Sequence, residues 1–149
     1  MKTSRIVLSF VPLFALVACF ALARPAAAAE TLKGKAILDH PCGKVAVKHM
    51  GLVHAGKMEE AVKLGTADMQ KQWQAMNADD RKMMTGMMKD MSQSEEDFKA
   101  EIEKSGELTV DGSQATLQVT KTTKDENGSS TETMTQRFEL SGSTCAITH

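Results

Sequence analysis

Leu108-Thr109-Val110-Asp111-Gly112-Ser113-Gln114-Ala115-Thr116-Leu117-Gln118-Val119 alternates apolar and polar side chains on both sides of an Asp-Gly pair. A period of two interrupted by Asp-Gly predicts two antiparallel strands joined by a tight turn. Thr116, Gln118, Thr120 and Thr122 stand opposite Ala115, Leu117 and Val119. Asp125-Glu126-Asn127-Gly128 then marks a second turn, after which Met134, Phe138 and Leu140 share one face and Thr133, Thr135, Arg137 and Glu139 the other. Ser141-Gly142-Ser143 leads to a last strand at Cys145-Ala146-Ile147. Threonine suits a pleated, half-exposed surface, so one face of the sheet is apolar and the other wet. The apolar face needs a cover.

Everything from Pro41 to Gly106 supplies that cover with a period near 3.6. Pro41 suits a first helical turn, and Val45, Ala46, Val47, Met50, Leu52 and Val53 form a broad apolar face before Gly56. A short helix follows from Lys57 to Leu64, stopped by Gly65, with Thr66 placed to cap the next, where Met69, Trp73 and Met76 share a side. Asn77 caps another helix, with Asp79 and Asp80 in its first turn. Ser92 and Glu95 have capping-box spacing and open a helix carrying Phe98 and Ile102. The expectation is an α+β domain over residues 42–149, with N-terminal helices on a curved antiparallel sheet of three to four strands. Residues 30–41 form a leading segment.

Residues 1–29 read as a secretory signal peptide: Lys2 and Arg5, an apolar stretch from Ile6 to Ala23, then Arg24-Pro25 and the small-residue run Ala26–Ala29. Cleavage after Ala29 makes the protein exported, either periplasmic or secreted. Two rival readings are a lipoprotein anchored at Cys19 of Leu16-Val17-Ala18-Cys19 and a retained membrane anchor. A membrane is expected as a partner only in those cases. Beyond residue 29 the chain carries 15 basic and 19 acidic residues, a formal net charge of −4. That deficit of Lys and Arg disfavours nucleic acid as a partner. Cys42 and Cys145 remain as an even pair in an oxidising compartment, and one disulfide between them is the economical reading. A redox pair or thiol nucleophile is the weaker alternative, because Cys-x-x-Cys spacing is absent.

Two short segments and the chain end also carry a family resemblance. Val45-Ala46-Val47 through His54-Ala55-Gly56-Lys57-Met58-Glu59-Glu60-Ala61 is similar to a helix, "aG" turn and "eeA" second helix. Gly112-Ser113-Gln114-Ala115-Thr116-Leu117-Gln118-Val119 resembles a "G-x-x-A-x-V-x-V" strand, and Ser141–Ile147 a terminal "dG-x-W-k-I". Together they resemble the exported NTF2-like, cystatin-like proteins of the DUF4878 type, a domain of unknown function, over about residues 42–148. The resemblance implies a cone fold. The chain departs from the pattern in one place, since the usual Trp of the last strand is replaced near Cys145; a Cys42–Cys145 bond would there clamp the first helix to the last strand. Relatives of the fold include ketosteroid-isomerase-like pocket enzymes and non-catalytic binding domains, so fold alone selects no function.

No catalytic constellation is evident. The chain has no Tyr, and His40, His49, His54 and His149 have neither metal-ligand nor triad spacing, so they are expected at the solvent-facing surface or rim. Methionine is the anomaly: ten follow residue 29, and Met83, Met84, Met87, Met88 and Met91 cluster. Met83, Met87 and Met91 stack at intervals of four. Flexible core filler, a pliable surface for an apolar ligand or protein partner, and Cu(I) held by the three thioethers are the readings open. Gly86 inside this helix costs about 1 kcal/mol relative to Ala and hints at a bend or a close contact. Asn127-Gly128-Ser129 fits a glycosylation triplet, but a turn explains it better. The function expected is an exported, non-catalytic binding or accessory protein of the bacterial cell envelope, whose cone interior or Met-rich helical surface receives an apolar ligand or protein partner. Copper binding and a pocket enzyme are the alternatives.

Overall fold

The computed structural model describes residues 29–125 and 128–148. Along the chain these form β1 (Glu30–Lys33), α1 (Lys35–Asp39), α2 (Pro41–His54), α3 (Met58–Val62), α4 (Ala67–Ala75), α5 (Ala78–Met91) and α6 (Glu95–Ser105), then β2 (Gly106–Asp111), β3 (Gln114–Asp125), β4 (Gly128–Ser141) and β5 (Thr144–Thr148). The strands make one open antiparallel sheet in the order β1-β2-β3-β4-β5. The class is α+β, and among the described residues every helix is inserted between β1 and β2.

The sheet has five strands where three to four were expected. The additional one is β1, which pairs Leu32 with Leu108 and Lys33 with Glu107. Four residues with a single inward Leu carry no readable period, and the partner strand lies far along the chain. Residues 35–39, expected as part of a leading segment, make α1 and bury Ile37 completely.

Alternation fixes the register. Leu108 faces Leu117, Ala115 faces Phe138, and Phe138 faces Ile147, which brings the apolar members of four strands onto one side. Against that side lie Ile37 of α1, Ala46 and Val47 of α2, and Phe98 and Ile102 of α6, in one continuous core. Phe98 and Phe138 are its largest fully buried side chains. Cys42 at the start of α2 is bonded to Cys145 of β5, with Cα atoms 5.1 Å apart. A second cluster, Val53, Met58, Ala61, Val62 and Trp73, joins the end of α2 to α3 and α4.

Local chemistry sets the helix ends. His40 Nδ1 accepts the Cys42 N–H at 3.2 Å, and Pro41 occupies the first turn of α2. At the other end Gly56 takes φ +72°, which lets its N–H reach the Val53 carbonyl (2.9 Å) and the Lys57 N–H reach Leu52 (2.8 Å). This double closure needs a left-handed residue, which glycine adopts without strain. Gly43 serves a different end: a Cβ there would overlap the Ile37 carbonyl, so α1 lies on α2 only because that position has no side chain.

Three capping assignments differ from the sequence expectation. Ser94, not Ser92, caps α6, its Oγ accepting the Asp97 N–H at 3.1 Å. Ser92 instead closes α5, its Oγ donating to the Lys89 carbonyl at 2.7 Å. Both serines have an acidic residue three positions on, so spacing alone did not separate them. Thr66 precedes α4 without a side-chain cap, and its N–H donates to the Ile147 carbonyl at 2.9 Å. With the Ile147 N–H donating to the Leu64 carbonyl at 3.0 Å, this segment covers the outer edge of β5.

Candidate functional site

α5 differs from the other long helices in having no buried residue. It forms because its ends are satisfied locally. Asn77 Oδ1 accepts the Asp80 N–H at 2.8 Å, Asp79 and Asp80 sit at the positive end of the helix dipole, and Lys89 lies in the last turn. One side of it rests on the second cluster through Met84, and Arg81 reaches Glu59 of α3 at 3.3 Å. Gly86 brings no close contact: α5 runs uninterrupted through it, and a Cβ at that position would meet nothing within 4 Å.

The other side faces water. Met83 is 71% exposed, Met87 54%, Met88 36% and Met91 79%. Core packing accounts for Met58, Met69, Met84 and Met134, which are buried or pack against the two clusters. It does not account for the four on α5. Exposed apolar side chains grouped on one helix mark a surface that receives something, because burying each one fully is worth about 1.5–3 kcal/mol.

At the C-terminal end of this face Met91 lines a cleft of about 110 Å³ with Met50 of α2, Val119 of β3 and Met134 of β4. Gln93, Glu101, Lys121 and Glu132 complete its rim. Lys121 pairs with Glu101 at 3.3 Å, and the Gln93 amide donates to the same carboxylate at 2.7 Å. Met50 and Met134 were missed as members of a surface because each also belongs to an apolar periodicity. Only the packing of α5 along α2, which sets its last residue near β3 and β4, brings them beside Met91.

Met83, Met87 and Met91 therefore share an open helical face, but only Met91 reaches the cleft. Among the described residues no group of three or more His, Cys, Asp and Glu is arranged to hold a metal. Cys19 and Asn127 lie outside the described residues. His40 is a helix cap, and His54 is exposed with its Nδ1 3.5 Å from Ser92 Oγ.

His49, expected at the surface, is instead only 8% exposed, between α2 and the sheet. Its Nδ1 lies 3.5 Å from the amide nitrogen of Gln136, which occupies the inward phase of β4 between Met134 and Phe138. Desolvation holds the His49 imidazole below its usual pKa, favouring the neutral ring. Gln136 Oε1 is buried without a hydrogen-bond partner among the described residues. The alternation of β4 is the signal that would have found this pair, since it puts a polar side chain on the apolar side. His49 and Gln136 line none of the surface cavities described, which range from about 110 to 410 Å³. The space between helices and sheet is filled by side chains such as Leu108, Leu117, Val119, Phe98 and Phe138, each at most 2% exposed.

Among the described residues no helix is long and apolar enough to cross a membrane. Compared with protein-family models, with curated proteins and with solved structures, the chain has no match.

Proposed function

We propose that this chain is an exported, non-catalytic binding or accessory protein of the bacterial cell envelope, and that the methionine face of α5 is its receiving surface for an apolar ligand or protein partner. The observation that carries the reading is the exposure of Met83, Met87, Met88 and Met91 on a helix none of whose residues is fully buried. Methionine suits such a surface, since its unbranched, polarisable side chain repacks around partners of different shape. The filled interior favours this outer face over a ligand held inside an NTF2-like cone. Export is supported by the signal-peptide pattern of residues 1–29 and by the Cys42–Cys145 disulfide, a bond that persists in oxidising compartments.

Methyl-labelled methionine spectra of the domain beginning at Glu30 test the surface. On adding envelope extract, the Met83, Met87 and Met91 signals are expected to broaden while buried Met58 stays sharp. Uniform broadening, or none, rejects the surface. N-terminal sequencing of the protein recovered from cells tests export, with Glu30 expected first.

Copper is the second reading, because three thioethers at intervals of four share one solvent-open face. Equilibrium dialysis against Cu(I) decides it: uptake must occur, and must fall when Met83, Met87 and Met91 all become Leu.

A further inference from the structure

We propose that the partner seated on the methionine face of α5 is a cationic amphipathic segment; this rests on the reading of that face given above. The charges decide the chemistry. Asp79 and Asp80 lie four and three residues before Met83, and Asp90 lies three after Met87, so helical spacing puts all three carboxylates on the methionine side. The basic residues of α5 turn the other way. Arg81 and Lys82 line a separate cavity with Met58 and Trp73, and the Lys89 stem passes 3.6 Å from where a Gly56 Cβ would stand.

The same composition continues past Met91. There Met50 and Met134 lie beside Glu101 and Glu132, and the one cation of that rim, Lys121, is engaged with Glu101 at 3.3 Å. The face therefore runs as thioethers bordered by carboxylates from Asp79 to Glu132. Met83 to Met91 spans about 12 Å along the helix axis, a length that two to three turns of a partner helix cover. Leucine-like side chains of that helix meet sulfur and methyl groups while its Lys or Arg residues meet the acidic border. A second copy of this chain would set Asp against Asp across a two-fold axis, and an anionic lipid surface would meet the same border with like charge.

The test uses three synthetic amphipathic peptides with Leu on one face and Lys, Gln or Glu on the other, titrated into the disulfide-bonded domain. Trp73, the one Trp of the chain, packs in the cluster under α5 and reports binding by fluorescence. The Lys peptide is expected to bind roughly tenfold or more tightly than the Glu peptide, with affinity falling as salt rises. Asp90→Asn with Glu132→Gln should weaken the Lys peptide several-fold and leave the Gln peptide unchanged, and Met83→Ser with Met87→Ser should weaken both. Equal binding of the Lys and Glu peptides, still lost with the methionines, overturns the charge assignment and leaves the apolar surface standing. Absence of binding by all three, or binding indifferent to the methionines, overturns both readings. Self-association through this face, or binding to vesicles of phosphatidylglycerol in preference to the Lys peptide, overturns the cationic segment.

Discussion

The layer formed by α1, α2, α6 and the sheet and the helix α5 are built on opposite terms. In the first, Ile37, Phe98, Ile102, Leu108 and Leu117 are at most 1% exposed, and a disulfide spanning 103 residues ties α2 to β5. In the second, a helix of 14 residues has caps at both ends, one ion pair to α3 and no buried side chain. The contrast locates stability in the sheet layer and adaptability in α5. An element held by few buried groups opens at lower free-energy cost than the core it rests on.

Substituting the core gives the largest contrast. Phe138→Ala should lower unfolding free energy by about 3–5 kcal/mol in urea titration, because it removes a fully buried ring from the core between sheet and helices. A loss below about 1 kcal/mol would mean that the sheet layer is not where stability resides. Replacing Cys42 and Cys145 together by Ser should remove a comparable amount, on the order of 4 kcal/mol in the chain-entropy description. Hydrogen exchange on that variant sharpens the comparison: protection should fall in α2 and β5 while that of α5 changes least.

A smaller effect is expected from acidification. His49 has a folded-state pKa below the ordinary 6.5 through desolvation, so the unfolded chain binds a proton that the folded chain resists. Its contribution is complete above pH 6.5 and is lost as pH falls from there toward the depressed folded value. Stability measured between pH 7.5 and 5.5 should therefore decline, and His49→Gln should flatten that slope. An identical slope in the variant would assign the decline to other groups.

On α5 the effects are smaller still. Gly86→Ala should stabilise by up to about 1 kcal/mol, since the position is helical and a Cβ there meets open space. Met83→Ser, Met87→Ser and Met91→Ser should each shift stability by no more than about 0.5 kcal/mol while affecting binding. A loss of several kcal/mol in any of them would make that methionine a packing residue and dissolve the distinction between the two regions.

The hairpin strands were legible because alternation of period two is written in consecutive residues: Leu108 and Val110, Ala115 to Val119, Met134 to Leu140. Helices α2 to α6 were legible from their period of 3.6 and from Pro41, Gly56 and Asn77 at their ends, whereas the single turn of α1 was not. β1 was not, since four residues around one Leu take their conformation from a strand encountered only after six helices. The burial of His49 was hidden for a similar reason. Its position on α2 is readable, but which side of α2 meets the sheet depends on the crossing of the two layers.

The candidate surface divides in the same way. Consecutive residues put Met83, Met87 and Met91 on one side of a helix together with Asp79, Asp80 and Asp90, because helical geometry is local and follows from spacing alone. Whether that side faced the core or water was decided in three dimensions, where Met84 and Arg81 turned inward and the others were left outside. The meeting of Met91 with Met50 and Met134 is likewise a tertiary product. It requires a helix, the end of another and a distant strand to converge, and contacts between distant segments are set by how the layers pack, which no local period encodes.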